Sequence, residues 1–156
     1  MGKKSVLGFT ASVNESLTRF WSCSEIQDVG QEMGQTLTLI LQHASDAFKK
    51  ANNGVAPERI ILFRDGVGES QVLSICSLEA DQFKQALNNL GLPAKFMYLN
   101  VNKRVNTRIF AQGDRTQFKN PVPCTVIDST ITDHNLYEFY LVPTTARQGL
   151  VAPTKS

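Results

Sequence analysis

The sequence predicts an α/β domain in which helices pack on a mixed sheet, and three features carry that expectation. Two long stretches repeat apolar residues at three- and four-residue steps, as amphipathic helices do. Between and after them lie short runs rich in Val, Ile, Phe and Tyr, the residues that suit strands. At 156 residues, the chain has the length of one domain and enough of it to bury a core.

In order, residues 6–13 are apolar and small, with Arg19-Phe20-Trp21-Ser22 as a hairpin partner across Asn14-Glu15-Ser16. From 25 to 51 the pattern is helical, with Met33, Leu37, Ile40, Leu41, Ala44, Ala47 and Phe48 on one stripe, and Asn52-Asn53-Gly54 stops it. Residues 59–63 form a continuous apolar run, the kind expected to be buried on both faces of a mostly parallel sheet. A second helix is expected over 78–90, ending at Gly91, then strands over 94–100 and 105–111. Residues 113–123 read as a polar loop, and strand character returns at 125–128 and 137–142. The aromatics Phe20, Trp21, Phe63, Phe96, Tyr98, Phe110, Phe139 and Tyr140 sit mostly in these strands and are expected in the core, not on a base-stacking surface.

Composition narrows the function classes. The chain is 42% hydrophobic and 19% charged, as ordinary globular domains are. No apolar run reaches a membrane span, the start lacks a signal-peptide core, and Leu7 stands where a myristoylation site needs Ser or Thr. Cys23, Cys76 and Cys124 are odd in number and widely spaced, which suits a reducing intracellular compartment, cytoplasmic or nuclear, and neither a disulfide framework nor a zinc site. A net charge of +2 does not by itself mark a nucleic-acid binder, so the placement of the charges decides. Gly66-Val67-Gly68 completes no dinucleotide fingerprint, and His43 and His134 have no nucleophile placed for a triad.

Three places hold candidate chemistry. Asp65 follows the apolar run and precedes Gly66, so its carboxylate emerges at the carboxyl edge of the sheet, where α/β domains bind ligands and where a divalent cation would suit it. A plain Asp-Gly turn gives the same local pattern. Glu32, near the start of the long helix, is favoured there by the helix dipole whatever its role. In Asn102-Lys103-Arg104-Val105-Asn106-Thr107-Arg108, an extended chain puts Arg104, Asn106 and Arg108 on one side and Val105 on the other. That row suits successive phosphates of a nucleic acid; a solvated edge strand blunted by charge has the same pattern.

Four stretches together resemble the PIWI domain, and within it the Piwi branch of the Argonautes. They are Ser5-Val6-Leu7-Gly8-Phe9-Thr10-Ala11-Ser12, Arg59-Ile60-Ile61-Leu62-Phe63-Arg64-Asp65-Gly66-Val67-Gly68, Asn102-Lys103-Arg104-Val105-Asn106-Thr107-Arg108-Ile109-Phe110 and Arg147-Gln148-Gly149-Leu150-Val151-Ala152-Pro153-Thr154. They occur in the family's order and spacing over nearly the whole chain. The resemblance implies an RNase H-like fold for 1–156, as part of a PIWI domain that lacks its first strand and C-terminal helices.

It also implies small-RNA-guided binding of a target RNA for silencing. Catalytic members cut the target with Mg²⁺ or Mn²⁺ held by a tetrad of Asp, Glu, Asp and a His or Asp. In this sequence the second Asp falls on Asp65, the Glu on Glu32 and the fourth position on Lys155, while the first Asp would precede Ser5. Protonated lysine cannot ligate a metal, so the alternative is a non-catalytic guide-RNA-binding protein that silences through partner proteins. Under either reading the resemblance assigns Lys103, Arg104, Asn106, Arg108, Arg147 and Gln148 to nucleic acid, and no membrane partner.

Overall fold

The computed structural model describes residues 4–28, 34–65, 72–103, 105–113, 117–133, 137–145 and 152–156. They form two compact units, Met1–Leu62 with Ser74–Met97, and Phe63–Leu73 with Tyr98–Ser156. No helix among the described residues is long and apolar enough to cross a membrane.

The first unit opens with β1 (Lys4–Ser12) and β2 (Phe20–Asp28), an antiparallel pair whose register sets Phe9 opposite Cys23 and Ala11 opposite Trp21. Asn14 closes the hairpin: its Oδ1 accepts from the amides of Thr18 at 3.1 Å and Arg19 at 2.9 Å. The connection is therefore longer than three residues. β2 runs on to Asp28, so residues 25–28 are strand and not the start of the helix. Their partners across the hairpin, Lys4 to Leu7, supply a ladder that outweighs local helical spacing.

α1 (Gly34–Ala51) packs against this hairpin. Leu37, Ile40, Leu41 and Ala44 are buried at the i, i+3, i+4, i+7 spacing expected of one helix face, while Leu39 is 56% exposed. Trp21 sits edge-on between Phe9 and His43, with ring centroids 6.4 Å from each. The helix ends where Asn53 and Gly54 turn left-handed, and the Gly54 amide reaches back to the Lys49 carbonyl at 2.8 Å. Asn52 Nδ2 donates to Val13 O and Phe48 O, tying the helix end to the hairpin. Burial, with Glu25 adding to it, pushes the Cys23 thiol up, and none of the three cysteines is in a disulfide.

β3 (Arg59–Asp65) and β4 (Lys95–Val101) are hydrogen-bonded neighbours with α2 (Val72–Asn89) between them in sequence. α2 starts earlier than its apolar spacing indicated, and it buries Phe83, Ala86 and Leu87, with Phe83 stacked on Phe96 at 5.7 Å. β3 is not buried on both faces: Ile61 is 53% and Phe63 68% exposed. The run of apolar residues is continuous, but burial alternates along it because one face alone is covered. Phe20 and Phe110, expected inside, are likewise 59% and 46% exposed.

In the second unit, residues 105–110 alternate in burial but, against the strand expected over 105–111, join no ladder until β5 (Ala111–Gln112) pairs with β6 (Phe118–Lys119). The expected polar loop thus holds a hairpin arm. Three short strands follow: β7 (Val126–Ile127), β8 (Tyr140–Leu141) and β9 (Thr154–Lys155), in the order β7-β8-β9 and antiparallel throughout. Among the described residues Val105, Pro121, Tyr140, Val142 and Pro153 are its buried apolar residues. The predicted single mixed sheet is, among the described residues, four small sheets of two or three strands.

Two substitutions test this packing. Leu37→Ala is expected to cost about 2–5 kcal/mol in urea denaturation and Leu39→Ala under about 1 kcal/mol, because Leu37 alone of the two is enclosed. Cys124 has φ 66° at the turn closed by Thr125 N on Val122 O, a backbone that favours glycine. Cys124→Gly is therefore expected to raise stability by up to about 1 kcal/mol; a loss of that size would contradict the strained turn.

Candidate nucleic-acid and acidic site

The second unit assembles the candidate residues around one short segment, Asn102-Lys103. β4 delivers that segment, and β9 lies against it through a pair of backbone hydrogen bonds, Asn102 N to Lys155 O at 2.8 Å and Lys155 N to Asn102 O at 3.0 Å. On its other edge β9 pairs with β8, through Phe139 N to Ser156 O at 2.8 Å and Ser156 N to Phe139 O at 2.9 Å. β9 thus has partners on both edges, with the N–H and C=O of Lys155 spent on Asn102 and those of Ser156 on Phe139.

Asp65 ends β3, as its sequence context implied. Its carboxylate Oδ2 accepts from Lys103 Nζ at 2.6 Å. The two side chains are 60% and 64% exposed, so the pair is solvent-screened and contributes little to stability. Two residues singled out separately, one as a cation ligand and one as a phosphate contact, neutralise each other here.

Lys155 is differently placed. Its Nζ lies 2.9 Å from Glu138 Oε2, with side chains 25% and 7% exposed, and 5.8 Å from the centre of the Tyr140 ring. The register explains both contacts. Tyr140 is directly opposite Lys155 across the ladder, and Glu138 lies two residues before Tyr140, on the same face. Glu138 Oε1 also accepts from the Asp133 amide at 2.7 Å, so both carboxylate oxygens are used. Spacing missed Glu138. The signal available was the alternation in Glu138-Phe139-Tyr140, which puts the carboxylate on the side of a buried tyrosine.

Along the basic segment Val105 is buried at 7% while Asn106 and Arg108 are exposed, the one-sided arrangement expected of an extended chain. The Arg108 guanidinium donates from Nη1 to Val105 O at 2.7 Å and Thr107 O at 3.0 Å, which stiffens the segment. Glu32, Arg104, Arg147 and Gln148 lie outside the described residues.

The donor set for a divalent cation is incomplete. Among the described residues no three His, Cys, Asp or Glu side chains gather to hold a metal ion. Magnesium asks for octahedral oxygen ligation, to which Asp65 contributes one carboxylate, and at the fourth position Lys155 presents an ammonium. These residues alone do not fit a metal centre.

A family model described as the Piwi domain matches residues 1–156. Piwi-like protein 1 of Gallus gallus is 41% identical over 155 residues, 98% of this chain and 18% of its own length. Among solved structures, Drosophila Piwi superposes with a TM-score of 0.71 at 26% identity, covering 97% of this chain and 20% of that one. Kluyveromyces polysporus Argonaute, solved with a guide RNA, gives 0.78 at 22% identity over 99% of this chain and 20% of its own. The fold is accordingly the RNase H-like fold of those chains, and this chain spans under a quarter of the length of each.

The two lysine pairs should behave oppositely. Lys155→Met leaves the Glu138 carboxylate enclosed without its cation and is expected to cost about 1–3 kcal/mol, and Glu138→Gln a comparable amount. The double mutant Lys155→Met/Glu138→Gln should cost less than the sum, by about 1 kcal/mol. Lys103→Ala, breaking the exposed pair, is expected to stay within about 0.5 kcal/mol of the parent. Equal costs at Lys103 and Lys155 in chemical denaturation would contradict the burial difference.

Proposed function

Since this chain belongs to the Piwi domain family, we propose that it holds a small guide RNA and presents it to a target RNA for silencing. One observation carries the reading: Asn106 and Arg108 are exposed on one side of a segment anchored by buried Val105. A fixed backbone with an amide and a guanidinium two residues apart suits neighbouring phosphates, which are held without regard to base identity. Lys103 adds a third donor once it leaves Asp65, an exchange of one exposed anion for another. Sequence is then read by base pairing between guide and target, by analogy with other guided effectors. The guide RNA solved with Kluyveromyces polysporus Argonaute is consistent with this reading.

Magnesium- or manganese-dependent cutting of the target is the second reading, and the exposed carboxylate of Asp65 at the end of β3 favours it. It requires further oxygen ligands, Glu32 among the candidates. The commitment of Lys155 to Glu138 favours the non-cleaving alternative, in which silencing passes to recruited partner proteins. A lysine held this way is neither a ligand nor a free proton donor.

Binding of a labelled small RNA, measured across a salt series, tests the first reading. Arg108→Ala and Lys103→Ala should each weaken binding for every guide sequence and lower the slope of log affinity against log salt by about one. A loss restricted to particular sequences, or an unchanged slope, would remove the phosphate contacts. For the second reading, Asp65→Ala should abolish any magnesium-dependent cutting while leaving RNA affinity largely intact. A wild type that cuts, and stops cutting in Lys155→Ala, would return the lysine to the chemistry.

A further inference from the structure

The β5–β6 hairpin carries an arrangement that phosphate binding leaves unused. Phe110 is 46% exposed and Phe118 77%, and their ring centroids stand 6.0 Å apart at 57°. The register accounts for the meeting. Gln112 pairs with Phe118, so Phe118 shares the face of Gln112 and, two residues earlier, of Phe110. Phe110 and Phe118 are therefore diagonal neighbours across the ladder, within reach for aromatic rings. Asn106 and Arg108 continue the same alternation, giving one exposed row of Asn106, Arg108, Phe110 and Gln112 with Phe118 beside its aromatic end.

The hairpin is tightly closed. Gly113 N donates to Gln117 O at 2.8 Å, and a Cβ on Gly113 would lie 2.5 Å from that same oxygen, so only glycine permits the closure. Two large apolar rings facing water carry an unfavourable free energy of hydration that covering them would relieve. Charge selects the occupant. The row begins with an amide and a guanidinium, so the surroundings favour a polyanion that also carries flat apolar groups. Single-stranded RNA has both.

We propose that Phe110 and Phe118 form a stacking platform for an unpaired base of an RNA strand whose phosphates follow Asn106 and Arg108. This rests on the RNA-binding reading above and adds a site for the base. A platform of this kind tolerates any base, because every base offers a π-face, and it contributes affinity that salt does not screen.

The probe is a single-stranded oligoadenylate carrying one fluorescent purine analogue, titrated against the full chain at several salt concentrations. Phe110→Leu/Phe118→Leu keeps apolar bulk on an exposed surface but removes the rings. It should weaken binding about tenfold or more, abolish quenching of the analogue and leave the salt slope unchanged. Phe118→Trp should retain quenching and affinity, which separates stacking from a folding defect in the double variant. Arg108→Ala should do the reverse, lowering the salt slope with quenching kept.

If the wild type shows no salt-dependent RNA binding, the functional reading fails and the platform with it. If the wild type binds but the leucine variant binds and quenches equally, the platform alone is overturned. A leucine variant unchanged toward RNA that loses a polypeptide partner would likewise overturn it, making the pair a protein-docking surface.

Discussion

The arrangement of the second unit depends on the double pairing of β9. Two residues long, the strand has no stability of its own, yet Lys155 is hydrogen-bonded to Asn102 on one edge, and Ser156 beside it to Phe139 on the other. The backbone groups of Asn102, Phe139, Lys155 and Ser156 find partners there, which removes the desolvation cost that an isolated short strand would carry. The pairing has a geometric consequence as well. It brings the end of the chain beside Asn102-Lys103, and Lys103 meets Asp65, so residues far apart in sequence come to flank one segment.

Two lysines with similar local chemistry take opposite roles because their surroundings differ. Lys103 and Asp65 are both well exposed, so water solvates either charge if the pair opens, and exchange for a phosphate or a cation is inexpensive. Lys155 and Glu138 have little water to fall back on, and each would be left with an uncompensated charge if the other departed. The Asp133 amide on the second oxygen of Glu138 holds the carboxylate in place. Lys155 is in this way part of the support of the sheet. Such a pair resists replacement more than it adds to stability, since desolvation offsets much of the attraction.

Exposed apolar surface follows from how the strands are covered. Ile61 and Phe63 on β3, Val6 and Ile26 across the β1–β2 ladder, and the Phe110–Phe118 pair all face outward, in each case on one side of a two-stranded ladder or the extended segment beside it. A two-stranded sheet needs packing on a face to be stable, and α1 supplies it for the β1–β2 ladder. The aromatic pair differs from the others in its setting: cations and amides continue its row. That setting is the reason a polar ligand with flat faces fits there better than another apolar surface.

Local pattern determined a good deal about this protein. The hairpin across Asn14, the stripe of Leu37, Ile40, Leu41 and Ala44, the stop at Asn53-Gly54 and the carboxylate at the end of β3 were all legible, because each depends on neighbours within a few residues. Four motifs in order also identified the family, through residues that need no structure to be read. Tertiary structure decided the rest. Residues 25–28 became strand because Lys4 to Leu7 lay across from them, and β3 proved one-sided because covering a face depends on what packs there. The partners of Asp65 and Lys155 could not be foreseen from spacing, since Lys103 lies 38 residues from Asp65 and Glu138 reaches Lys155 only through the β8–β9 register. Ion pairing is set by distance and solvent exposure, and a sequence specifies both only after the strands have found their partners.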